Sequence, residues 1–416
     1  MPGTRESTTW RSHFPVLVTP AQTIGGIGVI RSLGRGGYPV HAVSSQPNAL
    51  GFLSRYATAS AVCPECSDAS YLDWLRAYVE RHGIKGIIPS EAMLLALRPA
   101  FSEFSRLLPF SRDEDTVYQG MSKFDLFESL RSPLAPDAVR GHLPPTLFVN
   151  ESDPLPDVAA LESLGSPLFL KVDGCHSRLG SGGTVHKAGS GQQARVILGE
   201  IARDFRKILV QGYVPGVGVG AFFLLWKGQA LAEFMHRRLH ESPHTGGVSS
   251  LRESWWHPEI RDDALAKLKH FGWEGVAMLE YRWDPATDRF HLMEMNGRFW
   301  GSLHLALYAG VDFPLLLMDA FHGRVPAPVK QFRLGVRCRH TFPFEVGHVL
   351  SRVRDRRIGR LSRLWTLLGF FTGFLDFRTY SDLWFPGDRR LYWVNLKRFC
   401  KETLGSVIGK IFRRRH

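Results

Sequence analysis

The sequence predicts a mixed fold, α/β in its first third and α+β beyond, closed by a basic helical extension. Three observations carry that expectation. Residues 15–43 read as strand, glycine-rich turn, helix, strand, and a similar alternation resumes at Tyr71, which implies a parallel sheet covered by helices. From Ser166 the chain turns to apolar strands joined by short charged segments, a pattern that suits antiparallel hairpins. The formal charge of +13 sits at the end: residues 1–330 carry 33 Lys and Arg against 33 Asp and Glu, whereas residues 331–416 carry 19 against 6. The expected divisions are 1–120 for the parallel-sheet domain, 121–330 for two α+β lobes and 331–416 for the extension.

With 416 residues, 44% of them hydrophobic and 22% charged, the chain can bury a sizeable core, which excludes a disordered tail or a small disulfide scaffold. Five cysteines, an odd and sparse set, fit a reduced compartment, so a cytoplasmic location is expected. The segment Met1 to Pro15 lacks the unbroken apolar run of a secretory signal. The longest apolar stretch, Leu364 to Phe377, is interrupted by Thr366, Gly369, Thr372, Gly373 and Asp376. It falls short of the roughly 20 residues that span a bilayer, and no transmembrane helix is expected.

In chain order, PVLVTP, AQTIGGIG, VIRSLGRGGY and PVHAVS form the first βαβ unit. Gly25, Gly26 and Gly28 do not have the GxGxxG spacing of a dinucleotide site, and no acidic residue closes the strand at Val40 to Ser44. A tight turn packing a helix close to a sheet is the expectation. Cys63 and Cys66 make a lone CxxC with no second pair to complete a zinc site, and read as an incidental thiol pair. Tyr71 to Gly83 is amphipathic and leads into IKGIIPS and the helical EAMLLALRPAFSEF. Ser132 to Pro156, rich in Pro, Asp and Ser, reads as a connection. The strands expected next are Ser166 to Asp173, Lys207 to Val214, Val219 to Gly228, Gly275 to Asp284 and Arg289 to Asn296.

The last two of these strands carry the chemistry. Glu280 lies on the first, Glu294 and Asn296 lie two residues apart on one face of the second, and Arg298 follows by another step of two. Two carboxylates and an amide oxygen converging on one side would form an oxygen-only site suited to Mg²⁺, with an arginine placed for phosphate. The alternative is a set of solvated residues on an open sheet face, against which stand the apolar neighbours Met278, Leu279, Leu292, Met293 and Met295. Upstream, Lys171 ends an apolar strand and precedes CHSRLGSGGTVH, whose glycines would expose backbone N–H groups over a polyphosphate. No Walker A sequence is present, and a plain surface turn is the rival.

Together these residues resemble the ATP-grasp superfamily, in particular ATP-grasp carboxylate–amine ligases with a carbamoyl-phosphate-synthetase-like large-chain fold. The resemblance runs from about Val16 to Gly323. It rests on SKFDLFE with Lys123, PLFLK with Lys171, SGG at residues 181–183, ILVQGYVPG, HRRLHESPHTGG, and LEY followed by MEMNGRFWGS. It implies an N-terminal pre-ATP-grasp domain and two lobes that clasp MgATP. On this resemblance Lys123 and Lys171 would bind the adenine side and phosphates of ATP. Gly182 and Gly183 would cover the phosphates, and Gln211, Gly212, Tyr213 and Val214 would line the adenine, with an amide at Gln211 where the family usually has a carboxylate. Glu280, Glu294 and Asn296 would hold one or two Mg²⁺ ions, Mn²⁺ being the alternative metal. Arg298 and Arg238 would act on the transferred phosphoryl group or the substrate carboxylate. Neighbours on a strand point oppositely, so one of Arg237 and Arg238 is expected at the ligand, and HTGG is expected to form a mobile loop over the acceptor.

The implied function is ATP-dependent joining of a carboxylate to an amine through an acyl phosphate, with small-molecule substrates and no specific nucleic acid. The alternative is a non-ligating ATP-binding regulatory or assembly protein docked on a membrane by its tail. An ATP-dependent carboxylase or kinase is a third reading. His176, His186 and His304 read as ordinary polar side chains, and the run after Trp300 as a core helix. Residues 331–416 set Arg beside Trp, Phe and Leu. That mix suits peripheral contact with an anionic membrane at its inner face, with nucleic acid as the rival partner, and equally a helical cap with an Arg-rich outer surface.

Overall fold

Four short strands, Val16–Val18 (β1), Val40–Ser44 (β2), Ala59–Val62 (β3) and Gly86–Ile88 (β4), form a parallel sheet in the order β3-β2-β1-β4. The computed structural model describes residues 9–180 and 182–413. Expectations falling on residues 1–8, on Ser181 and on residues 414–416 lie outside them. The glycines expected to make a turn after β1 lie inside the Ile24–Arg35 helix, which Thr23 caps by accepting a bond from the Gly26 N–H. A Cβ at Gly25 would stand 2.8 Å from the Trp300 carbonyl and one at Gly28 3.0 Å from Leu303. Their absence lets this helix lie directly against the chain that leaves the second carboxylate strand.

A second, antiparallel sheet comprises Thr146–Asn150 (β5), Leu168–Val172 (β6), Thr184–Ala188 (β7) and Lys207–Gly212 (β8) in the order β5-β8-β6-β7. β5 falls within the segment expected to be a mere connection, because its apolar run is only Leu147 to Val149 between polar neighbours. The third sheet has seven strands: Val217–Trp226 (β9), Gln229–Ser242 (β10), Val248–Ser254 (β11), Gly275–Trp283 (β12), Phe290–Asn296 (β13), Arg337–Arg339 (β14) and Thr379–Ser381 (β15). Their order is β13-β12-β9-β10-β11-β14-β15. Arg237 and Arg238 are neighbours within β10.

The apolar run after Trp300 is core, as expected, but it forms two helices, Leu303–Ala309 and Phe313–Phe321, at 91° to each other, separated by Gly310 at φ +106°. Among the described residues no single helix is long and apolar enough to cross a membrane. The extension is largely helical, yet it also supplies β14 and β15 to the large sheet. Its attachment is electrostatic as well. Arg31, fully buried on the Ile24–Arg35 helix, donates to Asp388 at 2.9 Å and to the carbonyls of Asp382, Leu383 and Asp388. Asp388 also accepts from Ser54 at 2.8 Å and from the Arg55 N–H at 3.1 Å.

Breaking one partner of such a pair strands the other in a low-dielectric interior. Asp388→Asn is therefore expected to lower stability by about 3–5 kcal/mol, read as a shifted midpoint in chemical denaturation. An unchanged midpoint would show that the extension is held on by other contacts.

Candidate active site

The β12–β13 hairpin sets the centre of the site. Glu280 pairs with Glu294 and Met278 with Asn296, but Tyr281 pairs with Leu292, so Met293 is an extra residue at a β-bulge. The bulge reconciles two demands. Tyr281 and Leu292 face the core on one side of the sheet, fully buried, while Glu280 and Glu294 turn to the other side. The carbonyl of Met293 accepts a bond from Lys171 Nζ at 3.4 Å, so the second sheet reaches the third at this point.

Two carboxylates on adjacent strands repel, and cations surround them. Lys123, the first residue of the Lys123–Arg131 helix, lies 3.2 Å from Glu294. Its helix is started by Ser122, which accepts from the Asp125 N–H and donates to Asp173 at 3.0 Å. Arg238 bonds Glu280 directly and Glu241 at 3.1 Å. It has room because a Cβ at Gly218 would stand 2.7 Å from its Cδ. Asn296 donates to Glu294 at 2.9 Å.

Their titration follows from these contacts. Burial works against the charged form of Glu294, yet Lys123, the Asn296 amide and Lys171 hold its carboxyl down at about 2. Burial pushes Glu280 up and the Glu294 charge adds to that, with Arg238 opposing. Burial likewise brings the Lys171 ammonium down to about 8, against the pull of Glu294. His236, buried on the same wall and 3.0 Å from Ser302, is held well below the ordinary imidazole range by burial and then by Arg238 and Arg252.

His236, Arg238, Glu280, Glu294, Asn296 and Arg298 line one pocket of about 350 Å³. Arg298 donates to the Phe299 carbonyl at 3.2 Å and meets Glu91 of the first sheet's Glu91–Leu97 helix at 3.3 Å. It also lines a larger cavity of about 720 Å³ bounded by Gln22 and Gly26, by Ser90, and by Asn395 and Arg398 of the extension. A third cavity, about 690 Å³, joins Tyr213 to Arg238, Glu241 and Arg282.

The expected residues thus divide. Lys123, Lys171, Arg238, Glu280, Glu294, Asn296 and Arg298 come together, and Tyr213 opens into the adjoining cavity. Gln211 is fully buried between β5 and β6, donating to Thr146 at 3.3 Å, and its Oε1 has no partner. Gly212 packs against the Leu164 carbonyl and Val214 is buried. Gly182 and Gly183 belong to the β6–β7 turn, where a Cβ at Gly183 would stand 2.5 Å from the Val172 carbonyl. They are not among the residues lining the pocket at Glu280.

Arg237 points away to Glu253 at 2.7 Å. The HTGG loop is tied to the extension through His244, which meets Ser351 at 3.0 Å and Asp355 at 3.2 Å. Arg282 escaped the sequence reading, although it stands two residues past Glu280, where strand alternation puts it on the same face. Asn395 and Arg398 had no sequence signal, because only folding brings them here. Cys63 and Cys66 are free thiols, both pushed up first by burial, Cys63 to about 11.

Glu294 is ionised because cations face it. Its folded value of about 2 lies below its ordinary value of 4.5, so the stabilisation is present above pH 4.5 and fades as pH falls toward 2. Lys123→Met is expected to reduce stability by about 1.5 kcal/mol at pH 7, with a smaller difference at pH 4, measured by denaturant titration at both values. An equal loss at both would mean that Lys123 acts by packing.

The oxygen-only donor set suits a hard divalent cation. Among the described residues no group of three or more His, Cys, Asp or Glu is placed to hold a metal ion by itself. A family model described as "ATP-grasp in the biosynthetic pathway with Ter operon" matches residues 204–341. No curated protein matches the chain. Among solved structures, a biotin carboxylase from Campylobacter jejuni, as its beta-gamma-ATP complex, is similar at 15% identity and TM-score 0.58, over 78% of this chain and 74% of that one. An L-amino acid ligase from Bacillus licheniformis follows at 14% identity and TM-score 0.54, over 76% and 74%. An N5-carboxyaminoimidazole synthetase from Staphylococcus aureus, complexed with ADP, is similar at 13% and 0.57, over 78% and 80%. The sheet architecture is thus that of the ATP-grasp fold, and the family-model match lies across its carboxylate hairpin.

Proposed function

We propose that this chain is an ATP-dependent ligase that joins a small-molecule carboxylate to an amine. The observation that carries the reading is the position of Arg298, which lines both the carboxylate pocket and the larger cavity against the first sheet. A phosphate donor on one side and an acceptor on the other would meet at its guanidinium. The L-amino acid ligase among the similar structures supports the reaction class.

Glu280, Glu294 and Asn296 would hold Mg²⁺, which when bound supplies charge neutralisation to the phosphates. Lys123, Lys171 and Arg238 add fixed positive charge around the same point. The acceptor carboxylate, oriented by Arg298, attacks the γ-phosphorus of ATP. A C–O–P linkage forms, the bond to the β-phosphate oxygen breaks, and ADP leaves. The amine then attacks the acyl carbon, the C–O bond to the phosphoryl group breaks, inorganic phosphate leaves with that oxygen and the electron pair, and the nitrogen loses a proton. The protein contributes orientation and electrostatics.

ADP release should require both a carboxylate and an amine, with one amide formed per ADP. ATP turnover without amide across a broad substrate panel would overturn the ligase reading. Glu294→Gln is expected to slow turnover about 100-fold or more, measured as steady-state ADP release.

Lys171 gives a pH signature. Bound phosphate favours the ammonium, which is charged in the free protein below about 8. ATP affinity should therefore be full below pH 8 and fall by up to about tenfold per unit above it. Lys171→Arg should flatten the profile between pH 7 and 9 in calorimetry, and a wild-type profile that is already flat would remove Lys171 from the phosphate site.

A further inference from the structure

The Arg360–Thr372 helix is built inside out. An amphipathic surface helix ordinarily turns its apolar stripe to the core. Here Leu361, Leu364, Trp365, Leu368 and Phe371, at helical spacing, are all exposed, with Trp365 and Phe371 each at 65%. The half-buried face carries Arg363, Thr366 and Phe370, fixed by polar bonds: Arg352 to Thr366 at 3.2 Å and to Ser362 at 3.3 Å, and Arg363 to the Val353 carbonyl at 3.4 Å. No residue of this helix is buried. The apolar stripe continues past its end in Phe374, Leu375 and Phe377, the last two 72% and 95% exposed.

Charge frames the stripe. Residues 352–378 hold seven Arg against two Asp, and Arg354, Arg356, Arg357, Arg360 and Arg378 are exposed around the apolar face. At 1.5 Å per residue the helix is about 20 Å long, too short to cross the roughly 30 Å hydrocarbon layer. It is suited instead to lie in the headgroup plane with Trp and Phe at the interface. Duplex nucleic acid would want cations along the stripe itself, where this helix has Leu, Trp and Phe.

We propose that the Arg360–Thr372 helix and the Phe374–Phe377 segment form a docking surface for an anionic lipid bilayer, the apolar stripe entering the interface and the arginines meeting lipid phosphates and carboxylates. This goes beyond the ligase reading and stands independently of it. Ser362, Trp365, Thr366 and Phe370 also border the cavity of Tyr213 and Arg238, so the test uses Leu368 and Phe371, which do not.

Full-length protein would be co-sedimented with phosphatidylcholine vesicles and with vesicles of phosphatidylcholine and phosphatidylserine. The expected result is at least tenfold more binding to the anionic vesicles, weakened by added salt. Leu368→Glu and Phe371→Glu should each reduce it at least tenfold, with thermal melting and ATP turnover unchanged because both side chains already face solvent. Vesicle binding that survives both substitutions would overturn the proposal. So would its absence in the parent, whether accompanied by binding to duplex DNA or by a dimer that Phe371→Glu disperses in size-exclusion chromatography.

Discussion

Glu280 and Glu294 stand opposite each other on neighbouring strands, largely out of water, and two such charges are stable only with cations around them. Everything about the cleft answers that constraint. Lys123 comes from the helix preceding the second sheet, Lys171 from the second sheet itself and Arg238 from the third. Electroneutrality thus joins separate parts of the chain at one point. The burden is uneven: Glu294, faced by two lysines and an amide, is held ionised, while Glu280 is pushed up by burial and by its neighbour. A divalent cation would relieve that repulsion, which is why the pair is the proposed place for one.

The same rule operates where the extension meets the body of the protein. Arg31 and Asp388 are buried as a pair, and Asp382 is held by Arg252 and His340. The first pair links the first sheet's helix to the extension and Arg252 links β11 to it, so the extension is an integral wall of the larger cavity. It supplies two strands to the large sheet, several side chains to that cavity, Asn395 and Arg398 among them, and an anchor for the HTGG loop. Its outward surface is left free of structural duty, and there the apolar and cationic residues collect.

Much of this was legible in the residues. The alternation of Glu294 and Asn296 placed both on one face, and the neighbours of Arg237 and Arg238 do diverge as strand geometry requires. The same alternation would have shown Arg282, two positions past Glu280. Other features were closed to that reading. GGIG looks like a turn in one dimension, but its glycines serve a helix packed on Trp300 and Leu303, 275 positions away. β5 was hidden because three apolar residues between polar ones carry almost no periodic signal.

By itself the sequence determined the local matters: the parallel opening, the carboxylate hairpin, the basic tail and the fold to which they point. Period and spacing are properties of neighbours along the chain, and they survive without knowledge of the fold. Only the tertiary structure decided that Arg298 stands between two cavities, that Asn395 and Arg398 close one of them, and that the Arg360–Thr372 helix wears its apolar stripe outward. Which face of an element meets water depends on what packs against it, and that is fixed by contacts between residues far apart in the chain.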